Sequence, residues 1–261
     1  MTIWKGMVDL RIGCSGWSYK DWRGPFYPPE ARVKDHLAYY ATRFSTAEIN
    51  ASFYRLPTEK AVAAWRDATP EGFLFAWKAS RYLTHNKKLN DPEDSLKLIL
   101  GRMEGLGDRY GPALFQLPPS LKLDRERLAR FLELLPKVRR CTVEFRHPSW
   151  YAPEILQLLE AHDVALCVSD HHDAPSPWES TASFVYVRAH GPGGRYRGRY
   201  SEAQLKSLAH AISGWRKDGK PVFCYFDNDI RSAAPKDADR LIVLTGDSDR
   251  ESRSIPTEGV V

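Results

Sequence analysis

The 261-residue sequence predicts one (β/α)8 barrel of the TIM type, an α/β fold closed by eight parallel strands. Three observations point there. Eight short apolar runs alternate with longer stretches of helical period, the pattern of strand-helix units on a parallel sheet. The length falls where such a barrel runs as one domain. Hydrophobic residues at 43% and charged ones at 27% are ordinary for a globular chain. No apolar run approaches the roughly 20 residues of a membrane span.

In chain order the expected strands are LRIGCSGW at 10–17, TAEINASF at 46–53, FLFAWKAS at 73–80, ALFQLPP at 113–119, CTVEFRH at 141–147, ALCVSD at 165–170, FVYVRAHG at 184–191 and VFCYFDN at 222–228. After the first, Leu37, Tyr40, Ala41 and Phe44 fall at i, i+3, i+4 and i+7, one apolar stripe of a helix. Pro70 stops the second helix. Residues 81–94 read as a long polar loop, and loops of that length are often functional. Asp124 suits the N-cap of a helix with the stripe Leu128, Phe131, Leu132 and Leu135. Residues 171–183 carry two prolines and no helical period, so the crossover after strand six is expected to be irregular. Ser201, with Gln204 three residues on, makes a capping box for the helix of Leu205, Leu208, Ala209 and Ile212. The barrel domain is assigned to residues 1–246, and the polar, aperiodic tail 247–261 is expected to be disordered.

Cys14, Cys141, Cys167 and Cys224 each fall in an apolar run without a CxxC pair, and they read as reduced packing residues. The first residues show neither an apolar h-region nor a small-residue cleavage site, so the expected location is the cytoplasm. A net charge of +5 permits an anionic partner but does not by itself argue for nucleic acid.

Strand side chains alternate between the lumen and the helix layer, and a charge under a helix would be buried without water. Glu144 and Arg146 share one parity against Val143 and Phe145, and Arg188 and His190 share one against Val185 and Val187. The charged sets must therefore face the lumen. Glu48, Asn50, Lys78, Gln116 and Asp170 follow the same rule, and all lie near the C-terminal strand ends, where barrel enzymes place their chemistry. Gathering so many ions costs several kcal/mol each unless they pair, so function explains them better than stability. The competing explanation is a plug of ion pairs, Glu48 with Lys78 and Glu144 with Arg146 or Arg188.

Trp17, Tyr19, Trp22, Phe53, Tyr54, Trp150 and Tyr151 crowd the same rim, and flat walls beside cations suit a sugar ring, a nucleobase or an aromatic acid. The segment GPGGRYRGRY from Gly191 offers backbone amides and three arginines to an anion, and is equally what a flexible basic loop looks like.

Ordered motifs add a resemblance. They are SGWSYKDW at 15–22, FYP at 26–28, EINASFYRLP at 48–57, Trp65 with TP at 69–70, and FAWKAS with LTH within 75–85. QLPPS at 116–120, VEFRHPSW at 143–150, YVRAHG at 186–191 and YFDND at 225–229 complete the set. With these the chain resembles the YecE-like family, domain of unknown function 72, from Ile12 to about Leu241. The resemblance implies a TIM barrel and brings no settled activity. YFDND stands where that family more often reads FNN, which takes weight off Asp227.

The expected function is an enzyme for an anionic substrate, phosphorylated or phosphodiester, at the C-terminal face of the barrel. Glu48 or Glu144 is the expected general base and His190 the general acid, while Lys78, Arg146 and Arg188 neutralise charge on oxygen. Trp17, Tyr19, Asn50, Tyr54, His85, Gln116, Asp170 and Asn228 complete the expected substrate-binding set. Hydrolysis is favoured over redox chemistry because no Gly-rich dinucleotide fingerprint follows any strand. One alternative is a glycoside-processing enzyme using Glu48 and Glu144, which the three cations disfavour by holding both carboxyls ionised. Another is a non-catalytic nucleotide- or nucleic-acid-binding module. No cofactor is evident. A divalent metal is admitted by Glu48, His85, Glu144, His147, Asp170 and His190, by analogy with metal-binding barrels of the apurinic endonuclease and sugar isomerase type. No ligand spacing fixes such a site, and the cationic lumen would repel a bare cation. No membrane partner is expected, and the oligomeric state is not legible.

Overall fold

The computed structural model describes residues 9–246. Eight strands form a closed barrel in sequence order: β1 (Leu10–Ser15), β2 (Thr46–Ile49), β3 (Leu74–Lys78), β4 (Tyr110–Gln116), β5 (Cys141–Glu144), β6 (Ala165–Ser169), β7 (Val185–Ala189) and β8 (Val222–Phe226). Every pairing is parallel, and β8 closes on β1 through Leu10 opposite Val222 and Cys14 opposite Phe226. The expected (β/α)8 barrel is the fold observed.

Alternation along the strands divides the core in two. Outward residues such as Ile12, Ala47, Phe75, Trp77, Phe115, Val143 and Val187 pack under the helices. Inward residues of the lower lumen, among them Leu74, Ala76, Leu114, Cys167, Phe223 and Tyr225, form a second apolar cluster. The lumen is therefore filled from below, and the charged inward residues stand on top of that filling. All four cysteines are buried and unpaired.

The helices are α1 (His36–Ala41), α2 (Ala51–Tyr54), α3 (Glu59–Asp67), α4 (Glu93–Met103), α5 (Arg125–Glu133), α6 (Pro153–Ala161), α7 (Glu202–Lys217) and α8 (Ala233–Thr245). Asp124 caps α5 by accepting from Arg127 N, and Ser201 with Gln204 forms the capping box of α7. Between β6 and β7 the chain forms no helix, as its prolines require.

Three expectations need correcting. β2 ends at Ile49, not at residue 53, because Ala51–Tyr54 coil into a helical turn. β4 starts at Tyr110, three residues early, and carries Gly111 and Pro112, which read as breakers in sequence. Gly111 is required there, since a Cβ would lie 2.7 Å from the Phe75 carbonyl oxygen, beside an irregular register between β3 and β4. The segment 81–94 is not a loop throughout: Tyr82–Asn86 form a π-helical turn that buries Leu83 and Thr84, and α4 begins at Glu93. The tail 247–261 lies outside the described residues. Among those residues no helix is long and apolar enough to cross a membrane.

Candidate functional site

Arg188, at the end of β7, organises the barrel mouth. Its guanidinium is 1% exposed and reaches Glu48 of β2 from Nε (3.1 and 3.2 Å) and Nη2 (2.9 Å). It also donates to Glu144 of β5 (3.0 Å), to Asp227 just past β8 (2.7 Å) and to Ser15 of β1 (3.2 Å). Tyr186 donates to Glu48 at 2.6 Å, Ser15 donates to the same carboxylate, and Gln116 donates to Glu144 at 2.8 Å. Arg146 lies 2.7 Å from Glu144 Oε1, an ion pair without hydrogen-bond alignment, since that oxygen has no hydrogen-bond donor. A planar fork spreads five N–H groups over several carboxylates at once, where a lysine offers three from a single point.

The electrostatics follow. Burial alone would raise Glu48 and Glu144. At Glu48 the charge of Arg188 together with hydrogen bonds from Ser15, Tyr186 and Arg188 outweighs it, and at Glu144 Arg146, Arg188 and the further positive groups do so, holding both below the usual carboxylate range. Neither can then supply a general acid near neutral pH. His190 lies fully buried beneath, with Nε2 facing Arg146 (3.1 Å) and Arg188 (3.2 Å) and Nδ1 facing Asp170 (3.3 Å). Two guanidinium donors at Nε2 make it the acceptor, which assigns the ring proton to Nδ1.

Above this floor opens a cavity of about 640 Å³. Tyr19, Asn50, Tyr54, Lys78, His85, Gln116 and Arg188 of the sequence-predicted set line it, together with Phe53, Arg81, Asn86, Tyr196, Asp227 and Asp229. Lys78 Nζ sits 4.0 Å above the centre of the Phe53 ring and makes neither a hydrogen bond nor an ion pair to any described residue. Burial, reinforced by Arg188, pushes its ammonium down to about 8. Burial and then Lys78 push His85 down to about 4, so its imidazole is neutral at pH 7. Asp229 goes the other way: burial and the Asp227 charge raise its carboxyl far above the usual range, and its Oδ1 has no hydrogen-bond partner.

Other predicted residues lie elsewhere. Trp17 packs on Trp65 and Phe75 in the helix layer, and Trp22 and Trp150 are fully buried, Trp150 stacked on Phe145. Asn228 is buried and donates to Gly198 O and Asp237 of α8, fixing the glycine-rich loop instead of lining the cavity. Asp170 accepts from the His190 amide at 2.6 Å and from the Tyr200 hydroxyl, so it positions β7 and that loop. Within the loop, the Gly191 amide donates to Tyr200, Gly194 to Gly191 and Tyr196 to His190, which leaves these three amides engaged rather than open to an anion. The loop's product is Tyr196, whose hydroxyl meets Arg146 at 2.7 Å. His171, His172 and Asp173, within 4.8 Å of one another after β6, are the described group that could hold a metal ion. A groove of about 710 Å³ between α3 and α4 lacks convergent buried polar groups.

Sequence reasoning missed Ser15 and Tyr186, although both share the inward parity of their strands, and alternation alone would have found them. It missed Arg81, Asn86, Tyr196 and Asp229 because these come from turns, where no period assigns a direction.

The family model described as protein of unknown function DUF72 matches residues 11–259. The UPF0759 protein YunF of Bacillus subtilis is 25% identical over 268 residues, covering 90% of this chain and 94% of its own. The UPF0759 protein YecE of Escherichia coli is 32% identical over 145 residues, 55% of this chain and 50% of its own. A DUF72 family crystal structure from Thermotoga maritima superposes with a TM-score of 0.83 at 27% identity, covering 91% of this chain and 99% of that one. One from Enterococcus faecalis does so at 0.78 and 20% identity, covering 91% and 95%, which bears on the fold alone.

Proposed function

This chain belongs to the DUF72 family of proteins of unknown function, and from that premise we propose that it is an enzyme acting on a small anionic compound, phosphorylated or phosphodiester, bound in the cavity above Arg188. One observation carries the reading. The cavity holds two cations, Lys78 and Arg81, that meet no carboxylate among the described residues, while the nearby carboxylates are compensated by arginine or, at Asp229, held protonated. Uncompensated positive charge in a pocket of this size is a site for an anion.

The roles expected from sequence are redistributed. Glu48, Glu144 and His190 hold Arg188 and Arg146 in place beneath the substrate. Asp227 as carboxylate and Asp229 as carboxylic acid are the acid–base pair that faces it, and Asn50 and Gln116 are neutral donors. Arg81 at the rim takes the anionic group, with Lys78 deeper, beside the reacting oxygen.

Calorimetric titration with a phosphorylated sugar and its unphosphorylated parent tests this. The phosphorylated form should bind more tightly, less so as salt rises, and Arg81→Ala should weaken it roughly tenfold, the scale of one charge-assisted hydrogen bond. Equal affinity for the two forms would remove the anionic assignment.

A further inference from the structure

We propose that Lys78 is a carbonyl-trapping amine: its Nζ adds to an aldehyde or ketone of the bound anionic compound and forms a covalent imine, with Asp229 as proton donor. The proposal rests on the preceding reading for where the anionic group sits, and it names the functional group that would lie beside Lys78.

Four carboxyl groups, Glu48, Glu144, Asp227 and Asp229, surround this barrel mouth, and any of the first three would keep a lysine protonated if it paired with it. None does. Arg188 takes Glu48, Glu144 and Asp227, and Arg146 takes the other oxygen of Glu144. Lys78 is left with the face of Phe53, 91% removed from solvent yet lining the cavity. An amine desolvated beside another cation is the environment that frees a lysine for nucleophilic attack, and its fall to about 8 agrees. Lining the same cavity is Asp229, a carboxylic acid with an unpartnered buried oxygen, which is the proton source that dehydration requires.

The chemistry balances without a redox partner. The neutral Nζ lone pair attacks the carbonyl carbon and the C=O π pair moves to oxygen. One proton passes from nitrogen to that oxygen and gives the carbinolamine. Asp229 then protonates the hydroxyl, the C–O bond breaks, water leaves, and the nitrogen pair forms the C=N bond of the iminium. Asp229 is left as carboxylate, and hydrolysis reverses each step.

The test uses two small aldehydes of similar size, glyoxylate, which carries a carboxylate, and glycolaldehyde, which does not. Each is incubated with the intact protein at neutral pH with cyanoborohydride, which reduces the imine to a stable secondary amine, and the modified lysines are mapped by peptide mass spectrometry. Lys78 should be modified roughly tenfold or more above any surface lysine, because a lysine held near 8 carries about two hundredfold more neutral amine at pH 7 than one at 10.4. Lys78→Arg should lose that adduct, and if the variant does not fold, the wild-type map decides alone. Modification spread over surface lysines with Lys78 spared overturns the imine. If phosphate or glyoxylate still binds by calorimetry in that case, the anionic pocket survives the loss. Equal trapping of both aldehydes at Lys78 supports the imine and removes the anionic preference instead.

Discussion

Arg188 and Lys78 project from the ends of opposite strands, β7 and β3, into one barrel mouth, and their surroundings are reversed. Arg188 is enclosed by Glu48, Glu144, Asp227 and Ser15, with Tyr186 and Gln116 completing the carboxylates' hydrogen bonds. Lys78 faces an aromatic ring and an open cavity. The floor thus has the form of the ion-pair plug that competes with function in the sequence, although the pair Glu48 with Lys78 does not form and Arg188 stands in Lys78's place. The cavity above it is not plugged. Compensation of the carboxylates from below is what leaves the lysine unpaired above.

That contrast can be broken in order of effect. Arg188→Met should be the most damaging single change, costing about 3–5 kcal/mol in urea unfolding, because it strands Glu48 as a buried uncompensated charge and leaves Glu144 to Arg146 alone. A loss below about 1 kcal/mol would show that the floor does not carry the mouth. Tyr186→Phe removes one donor from the buried Glu48 carboxylate and should cost about 1.5–3 kcal/mol by the same measurement. Lys78→Met should instead leave stability within about 1 kcal/mol or raise it at pH 7, since below about 8 the folded state bears the cost of an ammonium that burial disfavours. A large loss there would mean that Lys78 is paired after all. Tyr54→Ala, at a side chain 70% exposed, should shift stability by no more than about 0.5 kcal/mol, and any effect should fall on ligand affinity.

Acid sharpens the same division. Glu48 and Glu144 titrate below their ordinary 4.5 in the folded protein, so the stability they contribute is fully present above that pH and is lost as pH falls through the lower folded values. Unfolding free energy measured from pH 6 downward should therefore drop below about 4.5, and Arg188→Met should flatten that limb, because Glu48 loses its paired cation and burial pushes it up, while Glu144 keeps only Arg146. An unchanged limb in the variant would place the acid sensitivity elsewhere.

How much was legible divides along the same line. Strand count, barrel closure, the caps of α5 and α7 and the inward direction of Glu48, Lys78, Gln116, Glu144, Arg146 and Arg188 all follow from period and parity, which are local properties of the chain. Where local signals conflict, as at Gly111-Pro112 in β4, the strand start is not legible in sequence, because the close approach that requires the glycine comes from Phe75 of the neighbouring strand.

The sequence by itself determined which groups enter the lumen, since alternation depends only on a residue's neighbours along its own strand. Tertiary structure alone decided who pairs with whom: that Arg188 takes the carboxylates, that His190 and Asn228 lie outside the cavity, and that Asp229 and Tyr196 close on it from turns. Pairing depends on which strand ends meet at what height, and with charges a few ångströms apart in a buried lumen, such small offsets separate a neutralised arginine from an available lysine.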